Sequence, residues 1–303
     1  MHDVQLADVQ LIDVTPRDGL QNEAVAVSTD HKVQLIADLV QLGARRIEAV
    51  SFVSPKHVPQ MADADEVMAA LPRLDEVNYI GLVVNERGVD RAITAGVDEL
   101  NFVVPSTDAF AGKNQNTTVA AAVQSAIYAG NRAAEAGIPY TVSMAVSLGC
   151  PYVGDVSPGD VLAALRPIVD ATQVAEIELA DTIGSGTPWS ATELFSWVQS
   201  VTDIPLRAHF HETRHTALAN TAAVLALGVR RFDGSVGGLG GCPFAPGAAG
   251  NVSTEDLAWF LQRGGFSHGL DVQRAIEVGR WICSLVGVEP RSGLASAGVF
   301  PRV

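Results

Sequence analysis

The chain of 303 residues carries 34 acidic and 20 basic side chains, a formal charge of −14, and 48% of it is hydrophobic. That much apolar material excludes a disordered chain, and the acidic balance removes the attraction on which nucleic-acid binding depends. Three cysteines (Cys150, Cys242 and Cys283) exclude a disulfide framework, and the absence of a basic, apolar leader or an 18-residue apolar run points to a cytoplasmic protein without a membrane span.

In chain order, eight apolar and β-branched runs read as strands: Val9–Val14, Arg46–Phe52, Asn78–Val84, Glu99–Val104, Tyr140–Val146, Ala175–Ala180, Pro205–Phe210 and Arg231–Ser235. Between them apolar residues recur at helical spacing. The first such stretch, Asp30–Leu42, aligns Val33, Ile36, Ala37 and Val40. Others are Asp63–Leu71, Glu86–Ala95, Thr118–Glu135, Gly159–Ala171, Ala191–Val201 and Thr216–Leu227. Gly43, Gly96, Gly137 and Gly228 follow the last apolar turn of four of these helices, where a C-cap belongs. Length alone admits two domains, and a doubly wound open sheet competes, but no GxGxxG turn follows the first strand. Eight strand–helix units fit a (β/α)8 barrel of about 250 residues. The expectation is one α/β TIM-barrel domain over residues 1–303. Residues from about 255 to 303 then form the last barrel helix and a C-terminal helical extension, with a helix around Val272–Leu285.

A barrel of this type does its chemistry at the C-terminal ends of its strands, and the unusual residues fall there. Arg17 and Asp18 follow the first strand, Glu48 lies in the second, Asp181 ends the sixth, and His209 and His211 end the seventh. Alternate residues of a strand share a face, so the two imidazoles project together while Phe210 turns away. The pair reads either as two hydrogen-bonded histidines or, with the Asp18 carboxylate, as a mixed nitrogen and oxygen metal set that suits Mg2+ or Mn2+ and also admits Zn2+, Co2+ or Fe2+. Arg17 and Asp18 stand side by side at a turn, either as a salt bridge or as a guanidinium aimed at an oxygen that becomes negative. Glu48 either holds that arginine or is an acid of the core rim. The glycine-rich run Gly237–Pro243 lacks the Lys-Ser/Thr of a nucleotide loop. It reads as a turn, a phosphate cradle or a lid that brings Cys242 over the barrel mouth. Asn251 offers an amide oxygen to the same metal or caps the helix that begins near Thr254.

The run Asp13-Val14-Thr15-Pro16-Arg17-Asp18-Gly19-Leu20-Gln21-Asn22-Glu23 resembles the opening of the 3-hydroxy-3-methylglutaryl-CoA lyase family of the DRE-TIM metallolyases. Ser51–Lys56, Leu148–Tyr152, Asp181–Gly184, His209–His211 and Gly238–Asn251 match in the same order, over nearly the whole chain. The resemblance implies a divalent metal held by Asp18, His209, His211 and Asn251. It implies cleavage of a 3-hydroxy-acyl-CoA to acetyl-CoA and a keto acid, with 3-hydroxy-3-methylglutaryl-CoA and acetoacetate the leading pair. Arg17 would stabilise the enolate oxygen, Glu48 would position Arg17, Cys242 would protonate the enolate carbon, and Asp181 would act near the site. Asp13, Gln21 and Thr182 are supporting residues in this picture, and Lys56 or Asn22 would meet the CoA end. Ala24, Asp13 and His211-Glu212-Thr213-Arg214-His215 depart from the family pattern, and Arg214 and His215 bear on which acyl tail is accepted. The alternatives are a lyase for a related branched 3-hydroxy-acyl-CoA and a Claisen-condensing synthase of the isopropylmalate or homocitrate type. A homodimer is compatible with the barrel.

Overall fold

The computed structural model describes residues 9–241 and 250–300. Eight strands close into an all-parallel barrel in sequence order: β1 (Gln10–Asp13), β2 (Arg46–Ser51), β3 (Asn78–Val83), β4 (Glu99–Pro105), β5 (Tyr140–Ala145), β6 (Glu176–Asp181), β7 (Leu206–Phe210) and β8 (Arg231–Gly234). β1 pairs with both β2 and β8, which leaves no sheet edge. The expected TIM barrel is therefore present.

Helices α1 (Thr29–Gln41), α2 (Ala64–Ala70) and α3 (Glu86–Ala95) surround the first strands. They are followed by α4 (Asp108–Asn114), α5 (Val119–Ala136), α6 (Pro158–Ala171), α7 (Pro188–Gln199) and α8 (Ala217–Ala226). α9 (Thr254–Arg263), α10 (Val272–Val286) and the short α11 (Gly293–Ala297) complete the outer layer. Side-chain oxygens of Ser28, Asn85, Thr107, Thr118, Ser157, Thr187, Ser253, Asp271 and Ser292 cap nine of these helices, satisfying amides that the first turn leaves open. α4 is not among the helices expected from the spacing of apolar residues. Among the described residues no helix is long and apolar enough to cross a membrane.

The apolar core lies between strands and helices, where Leu100, Phe102, Val142, Ile177, Leu179 and Phe210 are buried. The barrel interior is different. Ile12, Val14 and Ile80 form a small separate apolar cluster, and most remaining inward positions are polar. Arg46 and Glu48 of β2, Glu99 and Asn101 of β4, Glu176 and Glu178 of β6, Arg207 and His209 of β7, and Asp233 of β8 occupy alternate positions of their strands, and Glu178 stands in register with Arg207. Bulky branched side chains usually fill a TIM barrel; here ion pairs do. At the lower end Arg46 donates to Glu99 (2.7 Å) and Glu176 (2.9 Å).

Two outcomes follow from local geometry. Gly43, which ends α1, has φ +111°, and a Cβ there would sit 2.2 Å from the Gly269 carbonyl oxygen. Gly43→Ala should therefore cost about 2 kcal/mol; an unchanged urea midpoint would show that the backbone can adopt another turn. Glu255, at the start of α9, is buried and accepts the Gly237 N–H with both oxygens at 3.1 Å. Burial pushes its carboxyl up from 4.5 to about 8. The folded state then keeps a proton that the unfolded chain releases, so this group makes stability decline as pH rises from about 4.5 to about 8. Glu255→Gln should flatten that decline in urea melts at pH 5.5 and 8; parallel pH dependences in parent and variant would refute it.

Candidate active site

The site begins in the connection after β1. Asp18 and Gly19 both donate backbone N–H groups to Val14 O, at 2.8 and 3.1 Å, forming a wide helical turn over Thr15–Gly19. Such widened turns recur at functional sites because they redirect side chains. Thr15 anchors the turn by accepting from Val236 N (2.8 Å) and from the Ser235 hydroxyl (3.2 Å). Arg17 is thereby held on two sides: Nε donates to Glu48 Oε2 and Nη1 to Asp18 Oδ1 (2.5 Å). Among the described residues no hydrogen bond engages its Nη2.

β7 supplies the histidines. His209 and His211 project from one face, with their Nε2 atoms 3.1 Å apart. Asp233 on β8 meets His209 Nδ1 at 3.0 Å, which puts a ring proton at Nδ1 and turns Nε2 toward His211. Asp18 Oδ2 lies 3.6 Å from His211 Nε2. Asn251 approaches from the far end of the loop after β8. Its Nδ2 donates to Asp18 Oδ2 (2.7 Å) and Leu239 O (3.0 Å). Asn251 is not a helix cap; Ser253 accepts from Asp256 N and fills that role. Gly240 permits this convergence. With φ +99° it passes so close that a Cβ would stand 2.6 Å from Asn251 Nδ2 and 2.9 Å from Asp18 O.

The electrostatics suit a cation. Burial would raise the Asp18 carboxyl, but the Arg17 charge, with His211, holds it well below the usual carboxylate range. It is therefore an anion at neutral pH. Asp233 is pushed up by burial to about 6 despite Arg207 and His209 beside it. Burial opposes a charge on His209, yet the Asp233 hydrogen bond and charge outweigh it and lift the imidazole to about 9. Ligand atoms of Asp18, His209 and His211 lie within 4.8 Å of one another. Lone pairs crowded in this way repel unless a proton or cation is shared among them. Around them stand four acids (Asp18, Glu48, Glu178 and Asp233) against two guanidiniums (Arg17 and Arg207) and the charged His209, and a divalent ion that displaces the His209 proton balances the set. The donors are nitrogen and oxygen, a set accepted by several divalent metals.

The structure thus brings together Arg17, Asp18, Glu48, His209, His211 and Asn251. Asp181 is buried nearby, raised by burial, and committed to Ser185 N (2.8 Å) and Gly186 N (2.9 Å). Asp13 accepts from Thr15 N (2.9 Å) and Thr254 Oγ1 (2.7 Å) behind the turn. Thr182 Oγ1 accepts from Val146 N (2.9 Å). Arg214 is spent on the carbonyls of Ile183 (3.0 Å) and Gly184 (2.8 Å), bracing the loop after β6. Asn22 donates to Gly241 O (2.6 Å), while Gln21 is half-buried and Lys56 is exposed on the turn after β2. Cys242 lies outside the described residues. Sequence reasoning missed Asp233, Arg207, Glu178 and Asn101. The available signal was polar residues on alternate positions of strands whose other face is apolar.

Comparison with known proteins agrees with this geometry. Residues 8–282 match the family model described as HMGL-like. The chain is 42% identical over 297 residues to a hydroxymethylglutaryl-CoA lyase of Pseudomonas mevalonii, covering 97% of this chain and 98% of the relative. It is 40% identical to the mitochondrial hydroxymethylglutaryl-CoA lyase of Macaca fascicularis, covering 95% and 89%. The structure of an HMG-CoA lyase from Acinetobacter baumannii in complex with coenzyme A and 3-methylmalate superposes with a TM-score of 0.93 at 36% identity, covering 98% of this chain and 97% of that one. The chain belongs to the HMGL-like family.

Proposed function

We propose that this protein is a metal-dependent carbon–carbon lyase that cleaves 3-hydroxy-3-methylglutaryl-CoA to acetyl-CoA and acetoacetate. The observation that carries the reading is the convergence of Asp18, His209, His211 and Asn251 beside the Glu48-braced Arg17 at the C-terminal rim of the barrel. The names of the close relatives point to the same substrate class, an acyl-CoA. In this reading the chain is one catalytic barrel, with residues from about 255 onward as its last helix and cap.

A divalent cation, Mg2+ or Mn2+, would be held by Asp18, His209, His211 and Asn251, whose amide would turn its oxygen inward, and would supply Lewis acidity toward the substrate's oxygens. The chain's own residues account for the rest. Asp233 fixes the tautomer that keeps His209 Nε2 available. Loss of the C3 hydroxyl proton lets the C2–C3 electron pair leave with C2, which makes the keto acid and the enolate of acetyl-CoA. Arg17 is pinned at Nε and Nη1, so its remaining donors meet the enolate oxygen without reorganising. Cys242 is assigned the final proton transfer to C2. Its support is positional: Gly240, just before it, packs on Asp18 and Asn251, and Asn22 ties down Gly241. Glu212 accepts from Ala217 N (3.0 Å) and Arg214 braces carbonyls, so these departures from the family pattern serve the scaffold and leave the substrate assignment in place.

Acetyl-CoA release should be fastest from 3-hydroxy-3-methylglutaryl-CoA in a panel of 3-hydroxy-acyl thioesters assayed with Mg2+ or Mn2+. Faster release from another branched thioester would move the assignment to that substrate. His209→Ala should abolish turnover and weaken Mn2+ binding measured by calorimetry; unchanged metal content and rate would remove His209 from the ligand set. Cys242→Ser should lower kcat by about 10²–10⁴-fold with the melting temperature unchanged, and a near-parental rate would exclude the thiol as proton donor.

A further inference from the structure

Below the site, two arms run down into the barrel. On one, Arg17 Nε donates to Glu48 Oε2, and Asn101 Nδ2 donates to Glu48 Oε1 at 2.8 Å. On the other, His209 Nδ1 meets Asp233 Oδ2 at 3.0 Å. The arms join. Arg207, 1% exposed, donates Nη2 to Glu178 Oε2 and lies 3.4 Å through Nε from Asp233 Oδ1. Glu178 is in turn fixed by Ser143 Oγ on Oε1 (2.5 Å) and meets Asn101 Nδ2 at 3.5 Å on Oε2. A continuous polar chain therefore runs from Arg17 through Glu48, Asn101, Glu178, Arg207 and Asp233 to His209. Every link between Glu48 and Asp233 is buried, where water does not compete for these groups.

We propose that Asn101, Glu178 and Arg207 are positioning residues that clamp the arginine arm and the histidine arm of the site at a fixed separation. Among the described residues none of the three hydrogen-bonds a group assigned to substrate or metal, although a Glu178 oxygen lies within 4.8 Å of a His209 ring nitrogen; Asn101 acts through Glu48, Arg207 through Asp233, and Glu178 joins Asn101 to Arg207. The rationale is rigidity: an arginine donor and an imidazole ligand must address two parts of one substrate together, and small errors in such spacing cost rate steeply. The fork of a guanidinium suits this task because it reaches Glu178 and Asp233 simultaneously, which an ammonium cannot do. The inference rests on the lyase reading and deepens it.

Asn101→Leu cuts the chain without stranding a charge, and Arg207→Lys keeps the charge while removing the fork. Both should melt cooperatively. For each, kcat should fall about 10-fold or more, KM should change less than threefold, and Mn2+ affinity of the metal-free protein should weaken about 10-fold in calorimetry. Because the ligand Asp18 also hangs on Arg17, the decisive reading is the double variant Asn101→Leu with Arg207→Lys: a loss of Mn2+ affinity no larger than that of either single change reports one bridge, and losses that add to about 100-fold overturn it. If either variant fails to fold, Glu178→Gln, which keeps size and the Ser143 contact, takes its place with the same expectations. A competent parent whose folded variants retain kcat and Mn2+ affinity within twofold overturns the inference alone. A parent that neither binds Mn2+ nor cleaves the thioester overturns the lyase reading, and this inference with it.

Discussion

Charge buried inside a closed barrel must be paired, and this constraint organises the molecule. A guanidinium such as Arg207, taken out of water, costs several kcal/mol unless carboxylates surround it, and Glu176, Glu178 and Asp233 do so here. Removing one partner would leave the others as unbalanced charges in a low dielectric, so the lumen is stabilised as a set. The strands thereby acquire a second function. Their outer faces bind the helices by apolar contact, and their inner faces fix the register of an ionic column.

That column explains why the rim is so ordered. Arg17 and His209 sit on the connection after β1 and on β7, and each is tied to an acid rooted in the column. Side chains held from below need little reorganisation when charge develops above them. The acid excess is also directional. Arg17 and Arg207 leave part of the negative charge at the top of the lumen uncompensated, where the imidazole lone pairs converge. A divalent cation completes the pairing that the protein begins, and its site is in that sense the last layer of the barrel.

The fold was largely legible in the sequence. All eight strands coincide with the apolar runs to within a few residues, helped by a helix–glycine–strand punctuation that marks four of the units, where glycine best tolerates backbones such as that of Gly43. The rim residues Arg17, Asp18, Glu48, His209 and His211 were legible by position, since a barrel brings its strand ends together regardless of their separation in the chain. The lumen was harder to read. Glu99-Leu100-Asn101, Glu176-Ile177-Glu178 and Arg207-Ala208-His209 alternate polar with apolar, a pattern that normally means one solvated face. In a barrel both faces are buried, so the polar face turns inward and the pairing across strands cannot be read from one strand at a time. Asp233 was hidden for the same reason. Its partner His209 lies on another strand, and nothing local distinguishes it from a surface acid.

The −14 charge of the whole chain and the cationic task of the site are reconciled by the same geometry. An anionic thioester approaching an acidic protein is repelled at long range, but salt screens charges beyond about 8–10 Å. What the substrate meets at close range is set by Arg17, the bound cation and the backbone dipoles at the strand ends. The lumen carboxylates that attract the cation lie beneath it and are engaged by Arg17, Arg207 and Asn101. Placing the acids below and the cation above separates metal capture from substrate repulsion. It lets one small volume attract a divalent ion and then an anion, and this ordering requires that the column stay buried and its charges balanced.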